Sequence, residues 1–142
     1  NNNNYILLFV GDTTPKYKDR IVRKSKELGI SNNVIIRQSV KNDEIRKVFS
    51  LAEVAIWPHG SSMAMIEAMV CNCPVIASSS QVNNERLGNG RGILYLESEN
   101  KDLVNAIVKT FENREQIIIN ARKWAIDYSW EKLEIETMDN VI

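Results

Sequence analysis

The chain has 142 residues, 44% hydrophobic and 25% charged, and its eighteen basic and eighteen acidic side chains cancel. It is long enough for one domain with its own core, too apolar for disorder, and lacks the clustered basic face that a nucleic-acid partner needs. No apolar run approaches the ~20 residues that cross a bilayer, and no signal-peptide pattern opens the chain.

After an Asn-rich start that reads as a linker, "YILLFVG" (5–11) is the first expected strand. Thr13-Thr14-Pro15 then opens a helix over 15–28, with proline in the first turn and Gly29 as its stop. The bases between Lys16 and Lys26 are interrupted by acids and apolar residues, as on a solvated helix face. "NVIIRQ" (33–38) is the second strand, and 42–53 a helix with Ile45, Val48, Phe49 and Ala52 on one face. "VAIWP" (54–58) is the third strand, 61–71 a helix, and "PVIAS" (74–78) the fourth strand. "GILYL" (92–96) is the fifth, followed by helices over 100–112, 114–127 and 130–141, the last entered by "SWEKL". Most strands are continuously apolar rather than alternating, which suits strands covered on both faces of a parallel sheet. Strand and helix alternating at this pitch predict an α/β fold, a Rossmann-like parallel sheet of about five strands with helices on both faces, in a single domain over 1–142.

Open parallel sheets bind ligands at the carboxyl ends of their strands. "VAIWP-HGSS-MAMIEAMV" is such a junction, where Gly60 permits an unusual backbone angle and Ser61 and Ser62 can cap or donate. Two readings stand: a phosphate cradle that includes Met63 at the helix start, or an ordinary helix cap with a glycine turn. Glu67 is the one carboxylate of that helix, and its helical neighbours Met63, Ala64, Val70 and Cys71 are all apolar. A buried, unpaired carboxylate costs several kcal/mol, so Glu67 is expected to meet a polar ligand, for which ribose hydroxyls suit a carboxylate that accepts two hydrogen bonds. A structural salt bridge or simple exposure is the alternative. "ASSSQVNNERL" (77–87) follows the next strand and offers uncharged donors ahead of Glu85, which stands near the start of a short helix. It reads equally as a sugar or phosphate contact and as a polar surface loop.

Cys71 and Cys73 are separated by one residue and His59 is the single histidine, too few ligands for zinc. The thiols are expected to be small buried hydrophobes of a reducing, cytoplasmic protein. A flavodoxin- or receiver-like reading needs acids clustered at strand ends, where only Asp12 stands.

The motifs together resemble family 4 glycosyltransferases (glycosyl transferases group 1, GT-B fold). "IEAMVCNCPVIAS" is similar to the family's Glu-Ala-Met-Ala-Cys-Gly-x-Pro-Val-Ile-Ala segment. "FVGD", "NVIIRQ", "AEVAIWP", "GNGRGILYL" and "YSWEKL" resemble family elements in the right order, over nearly the whole chain. The resemblance implies the C-terminal, donor-binding half of a retaining enzyme. It would hold a nucleotide-diphosphate sugar without a metal and transfer the sugar to a glycan or lipid. The acceptor-binding N-terminal domain and the first βα unit, with the basic residues that grip the diphosphate, would lie elsewhere. Peripheral membrane association is expected through the acceptor half, at the inner face. Of the family's two glutamates spaced Glu-x7-Glu, the second falls on Glu67, as the ribose contact, and the first, a donor-sugar contact, on His59; the resemblance implies these two as the catalytic residues. The base is expected near Arg37 and Gln38, phosphate or sugar at Gly60, Ser61, Ser62 and Met63, and the sugar side near Glu85. Four positions depart from the pattern: His59, Gln81 and Val82 in place of Gly-Gly, and Asn72 for the glycine after the cysteine. Asn72 is the next-best residue for a left-handed helix end. The isolated domain is expected to be inactive. The rivals are a GT-B-like domain that binds nucleotide sugar without transfer, and a sugar-nucleotide epimerase of the same fold.

Overall fold

The computed structural model describes residues 5–97 and 100–128. The helix expected over 130–141, and the "SWEKL" that opens it, lie outside them. Five parallel strands are present, and they form two ladders rather than one five-stranded sheet. Apolar runs identify strands, but ladder membership depends on which backbone groups pair, and hydropathy carries no record of that. The described residues fall into two compact units that meet within one helix, between Ile45 and Arg46.

In the first unit β1 (Leu7–Val10) pairs with β2 (Val34–Arg37), in register from Leu7↔Val34 to Val10↔Arg37. α1 (Pro15–Glu27) joins them; the Thr14 hydroxyl accepts from the Tyr17 N–H at 3.3 Å, and Pro15 needs no acceptor in the first turn. Gly29, at φ +68°, turns the chain away as expected. Both strands keep exposed positions, Leu7 and Ile35 among them, so the expectation of coverage on both faces does not hold for this pair.

α2 (Asn42–Leu51) leads into the second unit, where β3 (Ala55–Trp57), β4 (Val75–Ser78) and β5 (Ile93–Tyr95) form a ladder in the order β3-β4-β5. β4 has a neighbour on each edge and is buried at all four positions, as its continuous apolar sequence predicts. α3 (Ala64–Val70) buries Met65, Ile66, Ala68 and Met69 and packs against α6 (Arg114–Asp127), which buries Ile117, Ala121 and Ala125. α5 (Asn100–Glu112) covers β5, with Ala106 in one cluster with Ile76 and Tyr95. Removing a fully buried side chain such as Met65 costs about 2–5 kcal/mol.

The connections are as specific as the core. Asn72 takes φ +62° after α3, and its Oδ1 accepts from Arg122 at 2.8 Å. α4 (Gln81–Leu87) opens on Ser80, whose hydroxyl accepts from the Asn83 N–H at 3.2 Å. Arg91 closes it, donating to the Glu85 and Arg86 carbonyls while its guanidinium lies 5.0 Å from the Trp124 ring centre. Gly92 follows because a Cβ there would lie 2.7 Å from the Val75 carbonyl oxygen.

Candidate functional site

The carboxyl ends of β3, β4 and β5 carry a connected set of polar groups. After β3 the chain runs Pro58-His59-Gly60-Ser61-Ser62, with Gly60 at φ +73°, a conformation that disfavours any residue with a Cβ. α3 begins at Ala64, three residues later than the sequence predicts, because Ser62 folds back and its hydroxyl accepts from the Ala64 N–H at 3.2 Å. Alternate carbonyls of this loop are held from neighbouring elements. The Tyr95 hydroxyl donates to Pro58 O at 3.2 Å, Asn83 Nδ2 to Gly60 O at 3.0 Å, and Arg86 Nη1 to Ser62 O at 2.9 Å. The N–H groups of Gly60, Ser61 and Ser62 make no backbone bond among the described residues. A loop whose carbonyls are tied inward and whose amides are unengaged is suited to an anion.

Asn83 is central to this arrangement. It is fully buried, and its Nδ2 also donates to Ser78 O at 2.8 Å, so one amide joins the ends of β3 and β4 to α4. Its Oδ1 has no partner among the described residues. Both Nδ2 partners are carbonyls, which fixes the amide's orientation. Arg86 adds a second tie, with Nη2 3.7 Å from Met63 Sδ.

Glu67 is half-buried in α3, and its carboxylate has no hydrogen-bond or ion-pair partner among the described residues. The buried face of the helix is Met65, Ile66, Ala68 and Met69, whereas Met63 and Val70 beside Glu67 are exposed. Apolar neighbours therefore do not bury this carboxylate, and the full desolvation cost does not apply to it. What remains among the described residues is an acceptor with no internal use, on the helix that the Gly60 loop enters, and no salt bridge to Glu67 is found among them.

His59 is exposed, and its Nδ1 lies 3.1 Å from Glu97 Oε1, just past β5. The Ser78 side chain, and after it the hydrogen bond with His59, hold the Glu97 carboxyl below its ordinary pKa. Glu85 is exposed on α4, and its side chain has no partner among the described residues. The segment expected as a polar stretch before a short helix is mostly that helix, and of its three serines Ser80 serves as the cap.

Arg37 and Gln38 belong to the first unit, at the carboxyl end of β2. There the Arg37 carbonyl accepts from the Gly11 N–H at 3.2 Å. Asp12 Oδ1 accepts from the Ser39 N–H at 3.3 Å, and hydrogen bonds from Ser39 lower the Asp12 pKa. Cys73 is buried, which pushes its thiol up to about 12 and leaves it inert at neutral pH. Among the described residues no three His, Cys, Asp or Glu side chains gather as a metal site would need, and no helix is long and apolar enough to cross a membrane.

The sequence profile of glycosyl transferases group 1 matches residues 1–124. The chain belongs to that family. It is 26% identical to an uncharacterized glycosyltransferase of Methanocaldococcus jannaschii, over 80% of this chain and 31% of that protein. Among solved structures, the group 1 chain superposes with a TM-score of 0.82 on HepE of Anabaena in complex with UDP and glucose, at 20% identity, covering 96% of this chain and 40% of HepE. Sucrose-phosphate synthase from Thermosynechococcus elongatus gives 0.80 at 22% identity, over 95% of this chain and 37% of the synthase. The likeness establishes an α/β fold of the GT-B glycosyltransferase kind. The group 1 chain spans less than half the length of each.

The second unit brings His59, Gly60, Ser61, Ser62, Met63 and Glu67 onto one loop and helix, with Glu85 on α4, the helix that ties the loop down. Sequence reasoning missed Asn83, Arg86, Tyr95 and Glu97. Of these only Asn83 left a trace, since Ser80-x-x-Asn83 has the spacing of a helix cap.

Proposed function

We propose that this chain is the donor-binding part of a retaining glycosyltransferase, of the family 4 type, which moves a hexose from a nucleotide-diphosphate sugar to a glycan or lipid acceptor. The observation that carries this reading is a group 1 chain with a tied-down glycine loop, unengaged amides and an unpartnered Glu67 at the carboxyl ends of parallel strands. That HepE carries UDP and glucose on the same fold supports it. In this reading the amides of Gly60 to Ser62 and the Ser61 hydroxyl receive the diphosphate, with Met63 beneath. Hydrogen bonds there stabilise the charge that grows on the leaving diphosphate, so the chemistry needs no metal. Glu67 accepts from the ribose hydroxyls, and His59 and Glu85 face the sugar. Arg37 and Gln38, in the first unit, are the residues proposed for the base. The acceptor domain and the first βα unit belong to a longer polypeptide, which works in the cytoplasm with peripheral contact to the membrane. The present chain alone is then inactive.

His59, exposed where the family pattern has a glutamate, favours a second reading: a domain that binds nucleotide sugar without transferring it. An epimerase of the same fold shares the donor contacts. Glu67→Gln in the full-length protein tests the first reading. Glutamine keeps one neutral acceptor, so losing one charge-assisted hydrogen bond and weakening the other raises the dissociation constant for the sugar nucleotide about tenfold to a hundredfold, with transfer falling in step and the melting temperature unchanged. Lost affinity in a protein that never transfers sugar selects the binding domain, and release of an epimerised donor the epimerase. Unchanged affinity removes Glu67 from the site. A thermal-shift panel of sugar nucleotides identifies the donor, since a ligand at a hundred times its dissociation constant stabilises by about 2.7 kcal/mol.

A further inference from the structure

We infer that Glu97 is a positioning residue which holds His59 in the tautomer protonated at Nδ1, leaving Nε2 as a hydrogen-bond acceptor for a ligand hydroxyl. A carboxylate only accepts, so the imidazole nitrogen 3.1 Å from Glu97 Oε1 is the one that carries the proton. Nε2 has no partner among the described residues, and the side chain is 90% exposed, so that nitrogen is open to solvent.

The pair is built into the ladder. His59 follows β3, Glu97 follows β5, and β4 lies between them, so their hydrogen bond spans the end of the central strand. A second bond runs beside it, from the Tyr95 hydroxyl to Pro58 O at 3.2 Å, and fixes the separation of the two chain ends. The Ser79 N–H donates to Tyr95 O at 2.9 Å and ties the end of β4 to β5. Buried Ser78, at the end of β4, has its side chain on Glu97 and favours the ionised carboxylate. The histidine is therefore oriented through two strands and a serine rather than by its own loop.

An imidazole with its Nδ1 proton committed presents a neutral acceptor, which suits a sugar hydroxyl better than a phosphate oxygen. This assigns His59 to the sugar end of the donor, and that part of the inference rests on the reading given under Proposed function.

His59 is the single histidine of the 142-residue chain, so nitrogen-15 imidazole spectra report it alone. At a pH where the ring is neutral, the Nδ1-protonated form is expected to predominate. Glu97→Ala should move the tautomer ratio about threefold toward Nε2–H, the size an exposed pair allows. Glu97→Gln, whose amide oxygen still accepts, should fall between. Both positions are exposed, so neither variant threatens folding. A ratio that favours Nε2–H and ignores both substitutions overturns the assignment. In a second arm the panel of sugar nucleotides, UDP-glucose first, is titrated into the full-length protein, segmentally labelled over this chain, with the amides of Gly60 and Ser61 reporting binding. If they move and the His59 nitrogens do not, His59 is not a ligand contact and its assignment to the sugar falls. If no amide moves, the donor-site reading is what fails, and the tautomer ratio still decides the role of Glu97.

Discussion

Asn83 offers the sharpest test of how the site is held. Its Nδ2 donates to Ser78 O at 2.8 Å in a buried setting and to Gly60 O at 3.0 Å in a half-buried one, while its Oδ1 has no partner among the described residues. In Asn83→Ala the Ser78 carbonyl loses its side-chain donor in the interior, at about 1–3 kcal/mol, and the Gly60 carbonyl loses about 1 more. Removing the unpartnered Oδ1 returns about 1 kcal/mol, so the net loss is about 2 kcal/mol. With a urea m-value of about 2 kcal/mol/M, the midpoint falls by about 1 M. Asn83→Asp has nearly the same shape and the opposite chemistry. It sets an acceptor oxygen where Nδ2 donated to two carbonyls and buries a charge, and should be worse than alanine by at least ~2 kcal/mol unless it protonates. Urea unfolding at neutral pH and again near pH 4 separates these contributions, because protonation gives the aspartic acid one donor and narrows the gap. Aspartate tolerated as well as alanine at neutral pH would mean that the amide does not join these two carbonyls, and the account of the Gly60 loop would fail with it.

Two other outcomes follow from single contacts. Gly92→Ala places a methyl 2.7 Å from the Val75 carbonyl oxygen and 2.8 Å from Leu87 Cδ2, so backbone must move. A loss of about 1–3 kcal/mol in urea unfolding is expected, and an unchanged midpoint would show that the β4 and α4 contacts at Gly92 are looser than described. Asp12 and Glu97 both have lowered pKa values, so each contributes stability that is full above its ordinary value, 3.8 and 4.5 respectively, and is lost as pH falls through the lowered one. Asp12→Asn and Glu97→Gln should each lower the neutral plateau, leave stability at the acid end unchanged, and so flatten the acid limb between them. An acid limb unchanged in both variants would remove these pairs from the account.

Much of the architecture was legible in the order of residues. Alternating apolar runs and amphipathic stretches located every described strand and every described α-helix but α4, whose residues read equally as a polar loop; α5 and α6 match their expected bounds, because period and caps are local properties of a chain. The left-handed turn at Asn72 was legible for the same reason. The start of α3 was not, since Ser62 looks like a helical residue until its hydroxyl is seen to bind the Ala64 amide.

What belonged to tertiary structure was which groups meet. The sequence by itself determined the fold class and the family, through motifs confined to short stretches, and it singled out the loop at which a donor site is proposed. It placed Glu67 among apolar residues and so suggested burial. Only packing showed that α3 turns its other side inward and leaves the carboxylate half-exposed and unpartnered. Asn83, Arg86, Tyr95 and Glu97 stand 23 to 38 positions from the loop residues they hold, and nothing in either segment announces the other. Such pairs arise from strand order and register, which depend on backbone hydrogen bonds between distant segments.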